Sequence, residues 1–245
     1  AISFVDSEGT FNKCIFIENI AYSENAHSHG GAIDFSKSKS FFNECSFINN
    51  IAYSMASNSY GGAISLGEST CEINNCSFTN NTVQIFLDSF LITGDCPSTY
   101  GGAIHLEKSN ITLTNCSFQN NTGFGDSPEF IITGNGGASN SYLSKVKFKN
   151  CSFNNNTLYY YGYKFDIVSN IKGGACKFLD SKVELEFCQF INNTAMLRVR
   201  QKSKYLLTTI IGGAIFFYNC YDPIICTNCE FINNSALIPD KKNNE

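Results

Sequence analysis

The chain has 245 residues, of which 43% are hydrophobic and only 16% are charged, and its formal net charge is −4 at pH 7. The acidic balance argues against a nucleic-acid-binding protein. No apolar run of about 18 residues is present, so no membrane span is predicted. Asparagine, serine and threonine replace the missing charge, and such uncharged polar surfaces suit β-sheets better than helices.

Twelve cysteines in a chain of this length favour an oxidising compartment, with a reduced stack of thiols as the alternative. Residues 1–10 do not have the pattern of a signal peptide, and the sequence starts with alanine. We therefore expect a mature or trimmed product.

An internal repeat organises the whole chain. The motif Cys-x-Phe-x-x-Asn occurs seven times, and Gly-Gly-Ala occurs six times, with Ala1 in place of a seventh copy. The motif cysteines are Cys14, Cys45, Cys76, Cys116, Cys151, Cys188 and Cys229. The motif phenylalanines are Phe16, Phe47, Phe78, Phe118, Phe153, Phe190 and Phe231. The motif asparagines are Asn19, Asn50, Asn81, Asn121, Asn156, Asn193 and Asn234.

The spacing of these motifs is almost constant. Alanine and cysteine are 13 residues apart in the first six repeats and 15 apart in the last, and cysteine and asparagine are always five apart. Every other change in length falls between the asparagine and the next Gly-Gly, so each repeat has a fixed part and one variable loop. Insertions confined to one corner are typical of a stacked solenoid.

The fixed part alternates apolar and polar residues with a period of two, which predicts three short strands per repeat rather than helices. In the second repeat the apolar positions include Ile33, Phe35, Phe42 and Phe47. Three short strands cannot bury a core alone, so the coils must stack. The predicted fold is all-β, a right-handed single-stranded parallel β-helix of about seven coils.

The predicted coils start near residues 1, 32, 63, 103, 138, 175 and 214. The repeats are expected to occupy 1–236, and 237–245 to form a polar C-terminal tail.

Stacking would place equivalent side chains about 4.8 Å apart along the axis. The phenylalanines would pile up inside, and the asparagines would form a ladder at a corner that tolerates left-handed turns and bonds the next coil. The Gly pair would allow a positive φ or a close backbone approach. Ser139 and Ser141 occupy positions where apolar residues are expected, so their coil should be weaker.

The motif cysteines lie at a spacing that permits disulfides between coils, although side chains that point the same way disfavour the bond. A stack of buried free thiols is the alternative. Disulfides are expected more strongly for the cysteines outside the motif, namely Cys71, Cys96, Cys176, Cys220 and Cys226. Cys226 and Cys229 have a zinc-like spacing without a second ligand pair, so neither a metal site nor a cofactor is predicted.

Nine Asn-x-Ser/Thr sequons predict N-linked glycans. They begin at Asn75, Asn80, Asn110, Asn115, Asn120, Asn150, Asn155, Asn192 and Asn233. Five of them directly precede the motif asparagine, which predicts a row of glycans along one edge: Asn80, Asn120, Asn155, Asn192 and Asn233. The alternative is that an asparagine-rich repeat produces sequons by chance.

An aromatic cluster in the fifth repeat is a candidate binding surface. It comprises Tyr159, Tyr160, Tyr161 and Tyr163. Such rings suit contact with a sugar or a protein, or they pack against the flank of the helix.

The two arginines of the chain, Arg198 and Arg200, would lie on one face of a strand and suit an acidic neighbour, or they guard a solvated edge. No catalytic residues are predicted, because the carboxylates are scattered and His27 and His29 stand in a loop before a Gly pair.

The Gly-Gly-Ala-Ile and Phe-x-x-Asn motifs, repeated in register along essentially the whole chain, resemble the repeat of the chlamydial polymorphic outer membrane proteins, also seen in surface proteins of protists. The resemblance implies an extracellular β-helical passenger used in adhesion or surface architecture.

Neither end of the sequence shows an obvious cap, and similar repeats favour head-to-tail stacking of copies. We therefore expect an extracellular, glycosylated structural protein of the cell surface, which assembles with itself into a filament or stalk and is not an enzyme. The alternative is an adhesin that recognises a glycan or receptor through its variable loops. A polysaccharide lyase or hydrolase is the third possibility.

Overall fold

The computed structural model describes residues 1–86, 97–127, 133–162, 169–199, 208–220 and 223–237. These residues form 34 strands in five parallel sheets and no helix, so the described ranges hold no helix capable of crossing a membrane. Strands of successive coils pair in register, and Phe78, for example, lies between Phe47 and Phe118. The predicted parallel β-helix of about seven coils is confirmed.

Three sheets form what we call the body of each coil. Sheet 1 follows Gly-Gly-Ala and contains Ile2–Val5, Ile33–Ser36, Ile64–Gly67, Ile104–Glu107, Ser139–Tyr142, Cys176–Leu179 and Ile215–Tyr218. Sheet 2 contains Glu8–Asn12, Lys39–Asn43, Thr70–Asn74, Asn110–Thr114, Lys145–Lys149, Lys182–Glu186 and Ile225–Thr227. Sheet 3 carries Cys-x-Phe and contains Ile15–Ile17, Ser46–Ile48, Ser77–Thr79, Ser117–Gln119, Ser152–Asn154, Gln189–Ile191 and Glu230–Ile232.

Two further sheets form what we call the arm. Sheet 4 follows the motif asparagine and contains Ile20–Ser23, Ile51–Ser54, Thr82–Phe86, Thr122–Ser127, Thr157–Gly162, Thr194–Val199 and Ser235–Leu237. Sheet 5 precedes Gly-Gly and contains Ser28–His29, Ser59–Tyr60, Ser98–Tyr100, Thr133–Asn135, Ser169–Lys172 and Thr208–Ile211.

The expectation of three strands per coil is wrong, because a full coil has five strands, two of which belong to the arm. Both additional strands lie in the stretch predicted as one variable loop. Their buried residues in the early coils are small or polar, such as Ala52, Ser54 and Ser59. A period-two pattern of hydrophobic residues therefore could not reveal them.

Body and arm have separate cores. The body core is one continuous cluster that includes the motif cysteines and every motif phenylalanine except Phe231, which is 51% exposed. The arm core is a smaller cluster around Ile85, Leu158 and Tyr160. Body and arm meet at the second glycine of each Gly pair, and we call this contact the waist. A Cβ on Gly62 would lie 2.1 Å from the carbonyl oxygen of Gly102 and 2.6 Å from the backbone nitrogen of Thr82, so only glycine fits.

The corners of the body use left-handed residues. In the third coil these are Glu68, Asn75 and Asn80, with φ between 50° and 55°. The left-handed residue at the third corner is therefore the one before the motif asparagine, not the motif asparagine as expected. The motif side chain instead points inward, where it bonds the neighbouring coils.

The motif phenylalanines stack along the axis of the body. The ring of Phe47 lies 4.7 Å from the ring of Phe16 and 4.7 Å from that of Phe78, within 6° of parallel. The stack continues through Phe118 and Phe153 at similar distances. Burial of each ring contributes about 1.5–3 kcal/mol.

The motif asparagines form a buried ladder whose bonds are satisfied. The side-chain amide of Asn81 donates to Asn121 Oδ1 at 3.0 Å and to the carbonyl oxygen of Phe47 at 2.9 Å. Its own Oδ1 accepts bonds from the backbone nitrogen and the side chain of Asn50. A buried polar side chain is tolerated here because each donor and acceptor has a partner.

Candidate functional site

The eleven described cysteines are all free. The disulfides expected for Cys71, Cys176, Cys220 and Cys226 are therefore absent, and Cys96 lies outside the described residues. Cys71 and Cys176 pair in register with Ile111 and Ile215 in the following coil and with serines in the preceding coil, so each fills an inward position between a small and an aliphatic side chain. They act as small hydrophobes.

Burial also keeps the thiols of Cys71 and Cys76 protonated. It raises the pKa of both Cys71 and Cys76 to about 12, and the Sγ of Cys76 donates to the carbonyl oxygen of Asn74 at 3.1 Å. A protonated thiol is a poor nucleophile and a poor metal ligand. In the described ranges no three His, Cys, Asp or Glu side chains come together as metal ligands.

All nine sequon asparagines are exposed. Those of the predicted glycan row, such as Asn80 and Asn120, occupy the left-handed corner after sheet 3. A second group lies at the corner after sheet 2, where the Nδ2 of Asn115 donates to Asn75 Oδ1 at 3.1 Å. Asparagine favours left-handed corners, so the turn itself accounts for part of this enrichment.

The described tyrosines of the predicted cluster lie on different faces of the arm. Tyr160 is only 1% exposed, and its hydroxyl bonds to Thr99 Oγ1 and donates to the carbonyl oxygen of Thr133 at 3.1 Å. Its ring fills the space left by glycines, since a Cβ on Gly125 would lie 2.2 Å from Tyr160 Cε1. Tyr160 is thus a core residue and cannot contact a ligand from the surface.

The other candidate binding residues do not form one surface with it. Tyr159 lies on the outer face of sheet 4 with its ring 5.8 Å from that of Phe124. Arg198 is exposed and pairs in register with Tyr161. Tyr163 and Arg200 lie outside the described residues.

A different site lies at the Gly-Gly corner, where the outer faces of sheets 5 and 1 meet at an angle. We call it the corner groove, and it has a cavity of about 470 Å³. One side carries the outward residue that directly precedes each Gly pair, which is Tyr60, Tyr100 or Asn135 in the middle coils. The other side carries the first outward residue of sheet 1, which is His105, Asn140 or Lys177.

The first side of the groove is a row of stacked rings. His29 stacks on Tyr60 with ring centroids 4.7 Å apart, and Tyr60 stacks on Tyr100 at 4.8 Å and 9°. His105 reaches across from sheet 1 and lies 4.8 Å from Tyr60. The amide of Asn58 donates to the hydroxyl of Tyr60 at 2.9 Å and fixes that ring.

The second side is a buried polar floor. His105, Asn140 and Lys177 are 5%, 2% and 7% exposed, although they point outward from the sheet. Nδ2 of Asn140 lies 3.0 Å from Nδ1 of His105, and Nζ of Lys177 donates to Oδ1 of Asn135 at 2.5 Å. Within the described residues, Oδ1 of Asn140 has no hydrogen-bond partner.

Burial controls the charge of this floor. It lowers the pKa of His105 to about 3, with smaller contributions from His29 and Lys177, so the imidazole is neutral at pH 7. Burial also lowers the pKa of Lys177 to about 8, helped by Lys172. The carboxylates of Glu107 and Asp180 line the rim. The groove therefore combines aromatic rings, the neutral His105 and Asn140, and one lysine that two carboxylates outnumber.

Sequence reasoning missed this site because its residues are far apart in the chain and differ between coils. One signal was present: His29, Tyr60 and Tyr100 each directly precede a Gly pair, so they share one repeat position. His29 was predicted only as a loop residue. Stacking of coils turns that repeated position into a continuous aromatic row.

Comparison with known proteins gives one match. Residues 75–107 match the family model for the Chlamydia polymorphic membrane protein repeat. No curated protein and no solved structure matches the chain. The matched segment contains both Cys76-x-Phe78-x-x-Asn81 and the Gly-Gly-Ala-Ile that ends at Ile104. The match confirms the resemblance seen in the sequence for residues 75–107, and the other coils of the β-helix carry the same two motifs.

Proposed function

We propose that the protein is an extracellular structural rod of the cell surface, without enzymatic activity. The polymorphic membrane protein repeat and the parallel β-helix fit a surface structural or adhesin-type protein. The observation that carries the structural assignment is the unbroken register of the body, in which each motif phenylalanine and asparagine contacts its equivalent in the next coil.

A rod of this kind gains length at constant cross-section. Seven coils at about 4.8 Å each span roughly 34 Å. Since each coil contacts only its neighbours, stability grows with the number of coils. These properties suit a stalk or spacer that holds a binding surface away from a cell.

N-linked glycosylation is part of the proposal, because all nine sequon asparagines are exposed. Neighbouring sequons of the row, such as Asn80 and Asn120, are one coil apart, which is about 4.8 Å. Two glycans cannot easily occupy such close positions, so we expect partial or alternate occupancy. The mass of the chain from a glycosylating host, measured before and after enzymatic deglycosylation, tests this; identical masses would contradict it.

Assembly with itself is also proposed. Every interface between coils uses the same register, so the coil of a second copy could continue the five sheets. Light scattering and electron microscopy over a concentration series should reveal head-to-tail oligomers. Monomers at every concentration would contradict end-to-end assembly.

An adhesin is the second candidate function, and the corner groove favours it. The groove offers aromatic rings and buried polar groups on one face of the rod. The tyrosine cluster does not support this candidate, because Tyr160 belongs to the arm core.

Release of reducing sugars from a polysaccharide substrate would contradict the non-enzymatic assignment.

A further inference from the structure

We propose that the corner groove binds a neutral, hydroxyl-rich saccharide chain that lies along the axis of the rod. This binding activity is independent of the structural role proposed above. It rests on the stacked rings, the buried floor with an unpartnered amide, the charge of the groove and its length.

The aromatic row supplies a surface for sugar rings. Tyr60 and Tyr100 stack on each other where they line the groove, and the coil register and Asn58 hold them there. Aromatic side chains with polar tips bind partly apolar, partly hydroxylated ligands well, because one surface offers both kinds of contact. Rings fixed before binding lose little conformational entropy when the ligand arrives.

The floor contains a polar group that lacks a partner. The amide of Asn140 is 2% exposed and uses one end to bond His105, while the other end has no partner within the described residues. Exchanging the oxygen and nitrogen of the amide leaves one end unpaired in either orientation. A sugar hydroxyl both donates and accepts, so it can satisfy this amide whichever way it points.

The charges of the groove favour a neutral ligand over an acidic one. Two carboxylates, Glu107 and Asp180, line the same cavity as the single lysine of the floor, Lys177. The pKa of Lys177 is lowered to about 8 by burial, so the side chain is still mostly charged at pH 7, but this one cation faces two carboxylates. An anionic saccharide would meet net repulsion at the rim.

The backbone argues against a peptide that adds a strand. Tyr100 pairs in its ladder with Tyr60 on one side and with Asn135 on the other. The strands lining the groove therefore have no free edge, and β-strand addition requires one. Recognition must use side chains, as the rings and the amide allow.

The length of the groove indicates an oligosaccharide. Its cavity of about 470 Å³ lies within the range typical of ligand sites, about 300–1,000 Å³. From Tyr60 to Lys177 it crosses three coil spacings, which is about 14 Å along the axis. That length accommodates several sugar units rather than one.

Saturation-transfer-difference NMR on the full chain tests the proposal. The probes are four neutral tetrasaccharides (those of cellulose, starch, mannan and chitin), with tetragalacturonate as the acidic comparison. We expect at least one neutral probe to receive saturation and to bind more tightly than tetragalacturonate. Absence of transfer to all four neutral probes, or tighter binding of the acidic one, would overturn the proposal.

Single substitutions test whether the saccharide binds in the corner groove. Tyr100→Ala should weaken the best neutral probe at least about tenfold, as expected for a lost aromatic contact. Tyr100→Phe keeps the ring and should bind within about threefold of the wild type. Tyr22→Ala is the matched control, because Tyr22 is an exposed tyrosine of sheet 4 outside the groove, and its affinity should not change.

A second substitution keeps the proposal testable if Tyr100→Ala does not fold. Asn140→Leu removes the unpartnered amide, and it should weaken the same probe while the circular dichroism of the folded chain is retained. Wild-type affinity in folded Tyr100→Ala or in folded Asn140→Leu would overturn the assignment to the groove.

Discussion

The body and the arm of this β-helix differ in how much they change from coil to coil. In the body, every strand of sheets 1 and 3 has the same length, four and three residues. In the arm, sheet 4 strands grow from four residues at Ile20–Ser23 to six at Thr157–Gly162, and sheet 5 strands grow from two to four. The body sets the register, and the arm carries the variation.

The interiors explain this difference. The body holds a stack of parallel rings and a saturated asparagine ladder, and both lose contacts if one coil shifts. The early arm is lined by serines, with Ser28 Oγ bonded to Ser59 Oγ at 2.9 Å, and only later coils contain Leu158 and Tyr160. The insertions lie in these later coils, where the sheet 4 strands lengthen and the larger side chains fill a wider arm.

The largest expected effect is at the waist that joins the two regions. A Cβ on Gly102 would lie 2.0 Å from the carbonyl oxygen of Gly137 and 2.7 Å from backbone atoms of Thr122. Gly102→Ala must therefore separate body from arm or distort both, and we expect a loss above about 4 kcal/mol or failure to fold. Circular dichroism and thermal unfolding measure this.

Gly67→Ala is the matched control for that substitution. Its Cβ would lie 3.9 Å from the carbonyl oxygen of Phe35, which is an ordinary contact. Its stability should change by no more than about 0.5 kcal/mol. Equal stability of the Gly102 and Gly67 variants would show that the waist is not closed as described.

The second-largest expected effect is the loss of stability when a ring is removed from the core of the body, compared with removal of a ring from the surface of the arm. Phe118→Ala removes a fully buried ring from the middle of the stack and should cost about 3–5 kcal/mol in urea unfolding. Phe86→Ala removes a ring that is 38% exposed at the edge of the arm, and we expect less than about 1.5 kcal/mol. Similar losses in the two variants would contradict a dominant body core.

Much of the body could be predicted from the sequence, because its motif residues recur with constant spacing. The arm could not, since its strands carry Ser54, Ser59 and Gly123 at inward positions and show no hydrophobic period. The groove was missed for a related reason. Its residues contact one another only after the coils stack, and Tyr100 and Asn135 differ in type although both precede a Gly pair.

The third effect is pH dependence at the junction of the two regions. The pKa of His105 falls from 6.5 to about 3 on folding, so the unfolded chain binds more protons between these values. Stability should therefore fall as the pH drops through 6.5, by about 2 kcal/mol between pH 8 and pH 5. His105→Gln should remove this part of the pH dependence, and an unchanged difference between the two pH values would refute it.

The fourth and smallest effect is inside the body. Ser141 is fully buried and its hydroxyl has no partner within the described residues. Ser141→Ala should therefore raise the free energy of unfolding by about 1 kcal/mol.

Ser69→Ala should have the opposite sign, because the Oγ of Ser69 donates to the carbonyl oxygen of Gly67 and accepts from the backbone nitrogen of Ser38. We expect a loss of about 1 kcal/mol. A loss of stability in Ser141→Ala would show that this coil is not weakened by its serines.

The register of the body is tested most directly by nuclear Overhauser contacts between phenylalanine rings. In a chain labelled at the phenylalanine rings, signals can be assigned by their loss in single Phe→Leu variants. The ring of Phe78 should show contacts to Phe47 and to Phe118, which are 31 and 40 residues away and have centroids 4.7 Å from it. Contacts of Phe78 only with rings of its own repeat would contradict the stacked β-helix.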